Sequence, residues 1–364
     1  MTQIKVFHGV SEVAGQAHYS VKGLRECGVE TTHVVWTPSL FQYDYDVSLG
    51  IDKKRKYLLP LWAWRVLRCE IKMLRKCNVF HFHYGRSLLL NFDLRLMKML
   101  GKKIFFEFHG SDLRDYRYAN ERNKYVWVEE NDSGNEKRKK RAAKICKYAD
   151  GIILHDDELI PHLPDNAKTV YVVPLRVDLS KIAPAKITEE RETIKVVHAP
   201  THREIKGSEY VIKAVKALQS KYPVEMILVE GKTQEEALQL YREADVIVDQ
   251  LRIGTYGVFA IEGMAMGKPV VTYVTDEMRE CLPEDLPVCS ANPDTIEAVL
   301  ETLLSDGSLR RELGNRGRKY VEKYHDYAKN AKMLLDIYSG RIAPMRGREA
   351  FSYAAGVSDG GVKE

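Results

Sequence analysis

Short apolar runs alternate along the chain with longer stretches in which apolar residues recur every three or four positions. The runs at 4–7, 32–35, 79–82, 103–108, 152–154 and 169–172 read as strands, and 16–27 as a helix closed by Gly28. The segment 9–15, with a glycine at each end, reads as a loop between the first strand and that helix. The second half repeats the plan, with strands at 195–198, 224–229 and 245–249 and helices at 208–219 and 233–243. Strands separated by helices imply parallel sheets covered on both faces. The expected fold class is therefore α/β, with two Rossmann-like doubly wound domains facing a central cleft. The expected boundaries are 1–178, a linker at 179–192, 193–340 including closing helices at 309–338, and a disordered tail at 341–364 rich in Gly, Ala and Ser.

The stretch 249–273 organises the second domain. A buried strand ends at Asp249, a loop carrying Gly254 and Gly257 follows, then a short apolar helix, then Gly267-Lys268-Pro269 and another apolar run. Gly267 suits a left-handed helix cap, and the proline beyond it stops the helix. Ligands of open parallel sheets bind at the carboxyl ends of strands, where a helix N-terminus suits phosphate. Glu262 lies on this apolar helix, and a carboxylate there needs a partner. It would repel a diphosphate but suits a sugar diol. The competing reading is a glutamate on a solvated face.

The 364 residues are enough for two domains, and no apolar run approaches the ~20 residues of a membrane span. Six scattered cysteines without a C-x-x-C pair favour reduced thiols. The N-terminal MTQIKVFHGV enters a strand directly, so a cytoplasmic setting is expected. The net charge of +5 is unevenly spread: residues 1–182 hold 31 Lys and Arg against 22 Asp and Glu, whereas the remainder is net acidic. A basic first half suits an anionic surface or acceptor. No nucleic-acid-binding motif accompanies it, so nucleic acid is not an expected partner.

Residues 53–56 (KKRK) precede LLPLWAWRVLRCEIKMLRKC at 58–77, a basic helix with two tryptophans. Such a helix can lie in a membrane interface. The plainer reading packs Trp62, Val66 and Leu74 on the sheet with the basic face in water. Transient contact with an anionic membrane at the inner face is the expectation carried forward.

HAPTHREIKGSEYVIKAV (198–215) and ADVIVDQLRIGTYGVFAIEGMAMGKPVV (244–271), with the two-domain plan over residues 1–340, resemble glycosyltransferase family 4 (glycosyl transferases group 1) of the GT-B fold. The resemblance implies retaining, metal-independent transfer of a sugar from a nucleotide diphosphosugar to a glycan, lipid-linked or small-molecule acceptor, with no cofactor. In the family, two glutamates stand eight positions apart. The second matches Glu262, implying ribose contact, but Gly254 stands where the first would be. Backbone amides of Gly257, Val258 and Phe259 remain there, and Asp249 or Tyr256 is a substitute carboxylate or hydroxyl.

Lys206 matches the family lysine that holds the diphosphate, where fixed positive charge stabilises the leaving group. The arginine usual five residues earlier is Thr201, and Arg203 is the nearest alternative. Gly15, in the first glycine loop, would approach the donor phosphates, and His109 in FHGSD (108–112) would sit at the donor sugar or acceptor. The expected catalytic residues are thus His109, Lys206 and Glu262. The expected donor-binding residues are Gly15, Arg203, Lys206, Tyr256, Gly257, Val258, Phe259 and Glu262.

His81 and His83 share a strand face, but nothing near them in sequence completes a metal set, and Asp44-Tyr45-Asp46 is a chance match to a metal motif of another fold. Two rivals stand beside the transferase reading. One is a non-catalytic nucleotide-sugar-binding subunit supporting a partner transferase, motivated by Gly254. The other is a nicotinamide enzyme, which lacks its glycine fingerprint here.

Overall fold

The computed structural model describes residues 3–38, 43–52, 54–129, 134–184 and 192–356. The chain runs through β1 (Lys5–Val10), α1 (Gln16–Glu26), β2 (Glu30–Val35), β3 (Val47–Ser48), α2 (Leu59–Lys76) and β4 (Val79–His83). Next come α3 (Leu94–Met99), β5 (Lys103–Glu107), α4 (Tyr116–Arg122), α5 (Asn135–Tyr148), β6 (Gly151–Leu154) and β7 (Val170–Val172). The second half adds β8 (Ile194–His198), α6 (Arg203–Lys206), α7 (Ser208–Leu218), β9 (Val224–Leu228), α8 (Gln234–Glu243), β10 (Val246–Val248), α9 (Val258–Ala265) and β11 (Val270–Thr272). It closes with α10 (Asp276–Cys281), β12 (Cys289–Ser290), α11 (Ile296–Ser305), α12 (Gly307–Tyr324), α13 (Tyr327–Ser339) and α14 (Gly347–Ala354).

Two compact units result, one of residues 1–115, 133–176 and 327–364, the other of 116–132 and 177–326. Unit 1 holds a seven-stranded sheet in the order β3-β2-β1-β4-β5-β6-β7, with every pair parallel. Unit 2 holds a five-stranded parallel sheet, β12-β11-β10-β8-β9. In unit 1 the aromatic face of the strands (Phe7, Phe80, Phe82, Phe106) packs under Val66 and Met73 of α2, Leu94 and Met97 of α3, and Ile145 of α5. Near-continuous apolar strands such as Val246–Val248 are what burial on both faces requires.

Three expectations need correction. The first strand continues to Val10 because Gly9 and Val10 pair with Val34 and Val35, so the loop is shorter than 9–15. Of the closing helices, α13 belongs to unit 1 and not to the second domain: Ala331 packs so tightly on α1 that a Cβ at Gly23 would lie 2.4 Å from its methyl. The expected tail also contains α14, whose Ala350, Phe351 and Ala354 are buried, while Val172 N–H donates to the Met345 carbonyl at 3.0 Å. Residues 357–364 and 185–191 lie outside the described residues.

Candidate donor-binding site

In unit 2, α6 ends at Lys206 because Gly207 takes a left-handed conformation (φ 78°), which turns the chain into α7. Lys206 Nζ lies 3.0 Å from Asp249 Oδ1 and also bonds Gln250 Oε1. The other oxygen of Asp249 accepts the Gly257 N–H at 2.8 Å, at the start of α9. One buried carboxylate at the carboxyl end of β10 therefore holds both the lysine and the first amide of the helix. The next amides of that turn, on Val258 and Phe259, have no acceptor within the helix by its geometry.

Glu262 sits one turn along the same helix and is only 8% exposed. Burial pushes its carboxyl up to about 7, against a hydrogen bond from Gln234 at the start of α8, and the charge of Asp249 adds to the rise. The Phe259 ring packs on Tyr241 of α8 at 4.6 Å between centroids. The structure places Lys206, Gly257, Val258, Phe259 and Glu262 near one another at the end of β10 and along α9. Gln234 and Gln250 were missed, since neither residue type marks a site by itself.

Two expected donor residues are not part of this constellation. Arg203 is half exposed and forks onto both carboxylate oxygens of Glu230, so its guanidinium is taken by a surface pair. It also lines a cavity of about 410 Å3 with Trp127, Glu204, Glu209 and Arg252, which neither Lys206 nor Glu262 borders. Tyr256 points into the packing of α12: its hydroxyl is 3.0 Å from that of Tyr320 and 3.1 Å from His325 Nε2. Of the two candidates for the carboxylate missing at Gly254, only Asp249 is therefore placed at the helix start. Gly254 itself has φ 105°, and a Cβ there would lie 2.9 Å from Thr275 Cγ2, so a side chain at this position would be strained and would have to displace the Thr275 methyl.

In unit 1, Gly15 starts α1 with φ 81°, and a Cβ would strike Tyr19 at 2.6 Å. The entrance of that helix is occupied by Glu12, whose carboxylate accepts the His18 N–H at 2.9 Å and is pushed up to about 7 by burial. The His109 side chain is only 4% exposed, with Nε2 3.2 Å from His83 Nδ1 and Nδ1 3.0 Å from His155 Nε2. Both ring nitrogens are held by other imidazoles, which corrects the expectation of a histidine presented to substrate. The row continues through His83 Nε2 to His8 Nδ1 at 3.2 Å, and from His8 Nε2 to the Tyr338 hydroxyl at 3.3 Å. Its rings come from within β1, the end of β4 and the residues just past β5 and β6, consecutive strands of the sheet.

Beneath this row lies Glu107, paired with the fully buried Arg176. Burial alone would raise the Glu107 carboxyl, but Arg176 and the surrounding imidazoles override it and hold it well below the usual range. Burial likewise lowers His8, His83 and His109, and takes His155 down to about 4. The expectation that nothing completes a set around His81 and His83 is also corrected. Parallel register puts His8 beside His81, and the trios His8–His81–His83 and His83–Glu107–His109 each bring ligand atoms within 4.8 Å. The Asp44–Asp46 segment is structural, with Asp46 bonded to Arg25 and to the His33 amide.

Residues 212–336 match a family model described as glycosyl transferase-like. An uncharacterized glycosyltransferase of Methanocaldococcus jannaschii is 24% identical over 161 residues, covering 36% of this chain; the match spans 41% of that relative's length. Among solved structures, sucrose-phosphate synthase of Thermosynechococcus elongatus aligns with a TM-score of 0.65 at 16% identity, over 93% of this chain and 99% of that one. HepE of Anabaena in complex with UDP aligns at 0.62 and 11% identity, over 93% and 100%. The two parallel α/β units of this chain thus form the GT-B fold of these solved glycosyltransferases, and the matched region falls largely on the unit that holds Lys206 and Glu262.

Proposed function

We propose that the chain is a retaining, metal-independent hexosyltransferase that moves a sugar from a UDP-type nucleotide sugar to a glycan, lipid-linked or small-molecule acceptor. The observation that carries this reading is the meeting of Lys206, the start of α9 and the buried Glu262 at the strand ends of unit 2. The binding of UDP by HepE, which shares the fold, supports the nucleotide assignment.

Transfer breaks the bond between the anomeric carbon and the diphosphate, so negative charge grows on the departing phosphate oxygen. Lys206, released from Asp249, and the amides of Val258 and Phe259 meet that charge without a metal ion. Glu262 receives the ribose hydroxyls. Asp249, freed in the same exchange, accepts hydroxyls of the donor sugar in place of the carboxylate absent at Gly254. The departing phosphate takes the acceptor's proton on the face it leaves, so the anomeric configuration is retained.

Lys206→Ala and Glu262→Ala should each lower transfer about a hundredfold or more while the fold persists by circular dichroism. Transfer should survive EDTA, and the product anomer read by NMR should match the donor. Tight binding of UDP-sugars without transfer to any acceptor would instead favour the non-catalytic subunit, for which the absence of a side chain at Gly254 is the specific observation.

A further inference from the structure

Unit 1 carries an unusual outer surface on α2 and α3. The large apolar residues exposed in the structure include Tyr57, Leu61, Trp64, Leu67 and Ile71 on or beside α2, and Phe92, Leu96, Met99 and Leu100 on or beside α3. Exposure is 56% for Trp64, 79% for Phe92 and 74% for Met99, so these side chains are not partly covered core. In α2, Leu61, Trp64, Leu67 and Ile71 follow at three- and four-residue intervals, and the buried Trp62, Val66, Cys69 and Met73 line the opposite side. The helix therefore has two apolar stripes. One packs on the sheet, and the other is exposed among the described residues.

The two helices share a layer. Glu70 of α2 is pushed up to about 8, by burial first and then by the charge of Asp93 at the start of α3. Lys144 of α5 lies 4.3 Å over the ring of Phe92. The charges around the apolar side chains have one sign. Between Leu59 and Lys102 the only acidic residues are Glu70 and Asp93, and both are buried. Arg65, Arg68, Lys72, Arg75, Arg95 and Lys98 are exposed, with Arg68 set over the Trp64 ring at 5.2 Å. Among the described residues no helix is long and apolar enough to cross a membrane.

We infer that the outer face of α2 and α3 is a docking surface for an anionic lipid bilayer, lying in the plane of the interface. The exposed tryptophan, phenylalanine, methionine and leucine side chains enter the acyl boundary. The arginines and lysines around them meet lipid phosphates, and their long stems let the charged heads stay at headgroup level. A protein partner would need an acidic, apolar counterpart, whereas an anionic bilayer supplies both properties over any area. The surface is built from residues of unit 1 and the donor site from residues of unit 2, so the one does not depend on the reading of the other.

The test is flotation of the full chain with phosphatidylcholine vesicles, with and without phosphatidylglycerol. Binding is expected only to the anionic vesicles and should weaken in high salt. Trp64→Glu with Leu67→Glu, Phe92→Glu with Met99→Glu, and Arg68→Glu with Arg75→Glu should each reduce partitioning at least about tenfold. These positions are exposed, so the melting temperature and UDP binding should not change. Absence of vesicle binding, or binding indifferent to all three pairs, overturns the proposal. So does a concentration-dependent dimer that the same substitutions disperse, which would give this face to a second copy of the chain.

Discussion

Glu262 is held in a conflict that its neighbours do not resolve. The helix around it is apolar, Gln234 supplies a hydrogen bond, and burial still raises its carboxyl to about 7. A carboxyl that titrates near 4.5 when unfolded and near 7 when folded binds its proton more tightly in the native state. Its contribution is fully present below about pH 4.5 and is lost as pH rises through 7. Glu262→Gln should therefore leave stability unchanged near pH 4 and raise it at pH 8 by about 1–3 kcal/mol, read from urea unfolding at the two pH values. The residues legible in sequence were those whose meaning is local. Glu262 stood alone on an apolar helix, and Lys206 preceded a glycine. Arg203 and Tyr256 misled because their partners, Glu230 and the pair Tyr320 and His325, are remote in the chain.

At the scale of elements, α9 is fixed from both ends. Asp249 holds its first amide, and α12 crosses near its other end, where Gly314 and Gly267 leave no room for a side chain. A Cβ on Gly314 would lie 2.0 Å from the Gly267 carbonyl oxygen. Gly314→Ala should cost about 1–3 kcal/mol in thermal unfolding, because backbone rather than a flexible side chain stands in the way. It should also weaken UDP-sugar binding, since α9 carries Glu262 and the phosphate-facing amides; an unchanged affinity would mean α9 does not depend on α12. Periodicity gave the strand–helix alternation but not β3 or β12, each two residues long and dependent on a neighbouring ladder. Nor did it place α14, whose burial depends on α13 and β7 rather than on its own pattern.

At the scale of the whole molecule, the chain leaves unit 1 after Arg176 and returns at Tyr327. The last two helices complete the first sheet. Tyr338 bonds His81 at 2.6 Å, its carbonyl accepts from Lys103 Nζ at 2.8 Å, and α13 lies along α1. Ending the chain after Asp326 should therefore expose unit 1 to proteolysis and leave UDP binding by unit 2 in place, as limited digestion with and without UDP would show. The sequence boundary at 340 missed this because contacts between residues 81 and 338 have no local signature.

The imidazoles of unit 1 carry a consequence for the protonation of His109. An uncharged ring has one hydrogen to give and one lone pair to receive with, so His8, His83, His109 and His155 can satisfy one another only if all point the same way along the file. Reversing one reverses all, or leaves two hydrogens face to face. Which nitrogen of His109 bears the hydrogen is thus a shared choice, made by four rings on or just past four neighbouring strands and anchored at one end by a tyrosine from the far end of the chain.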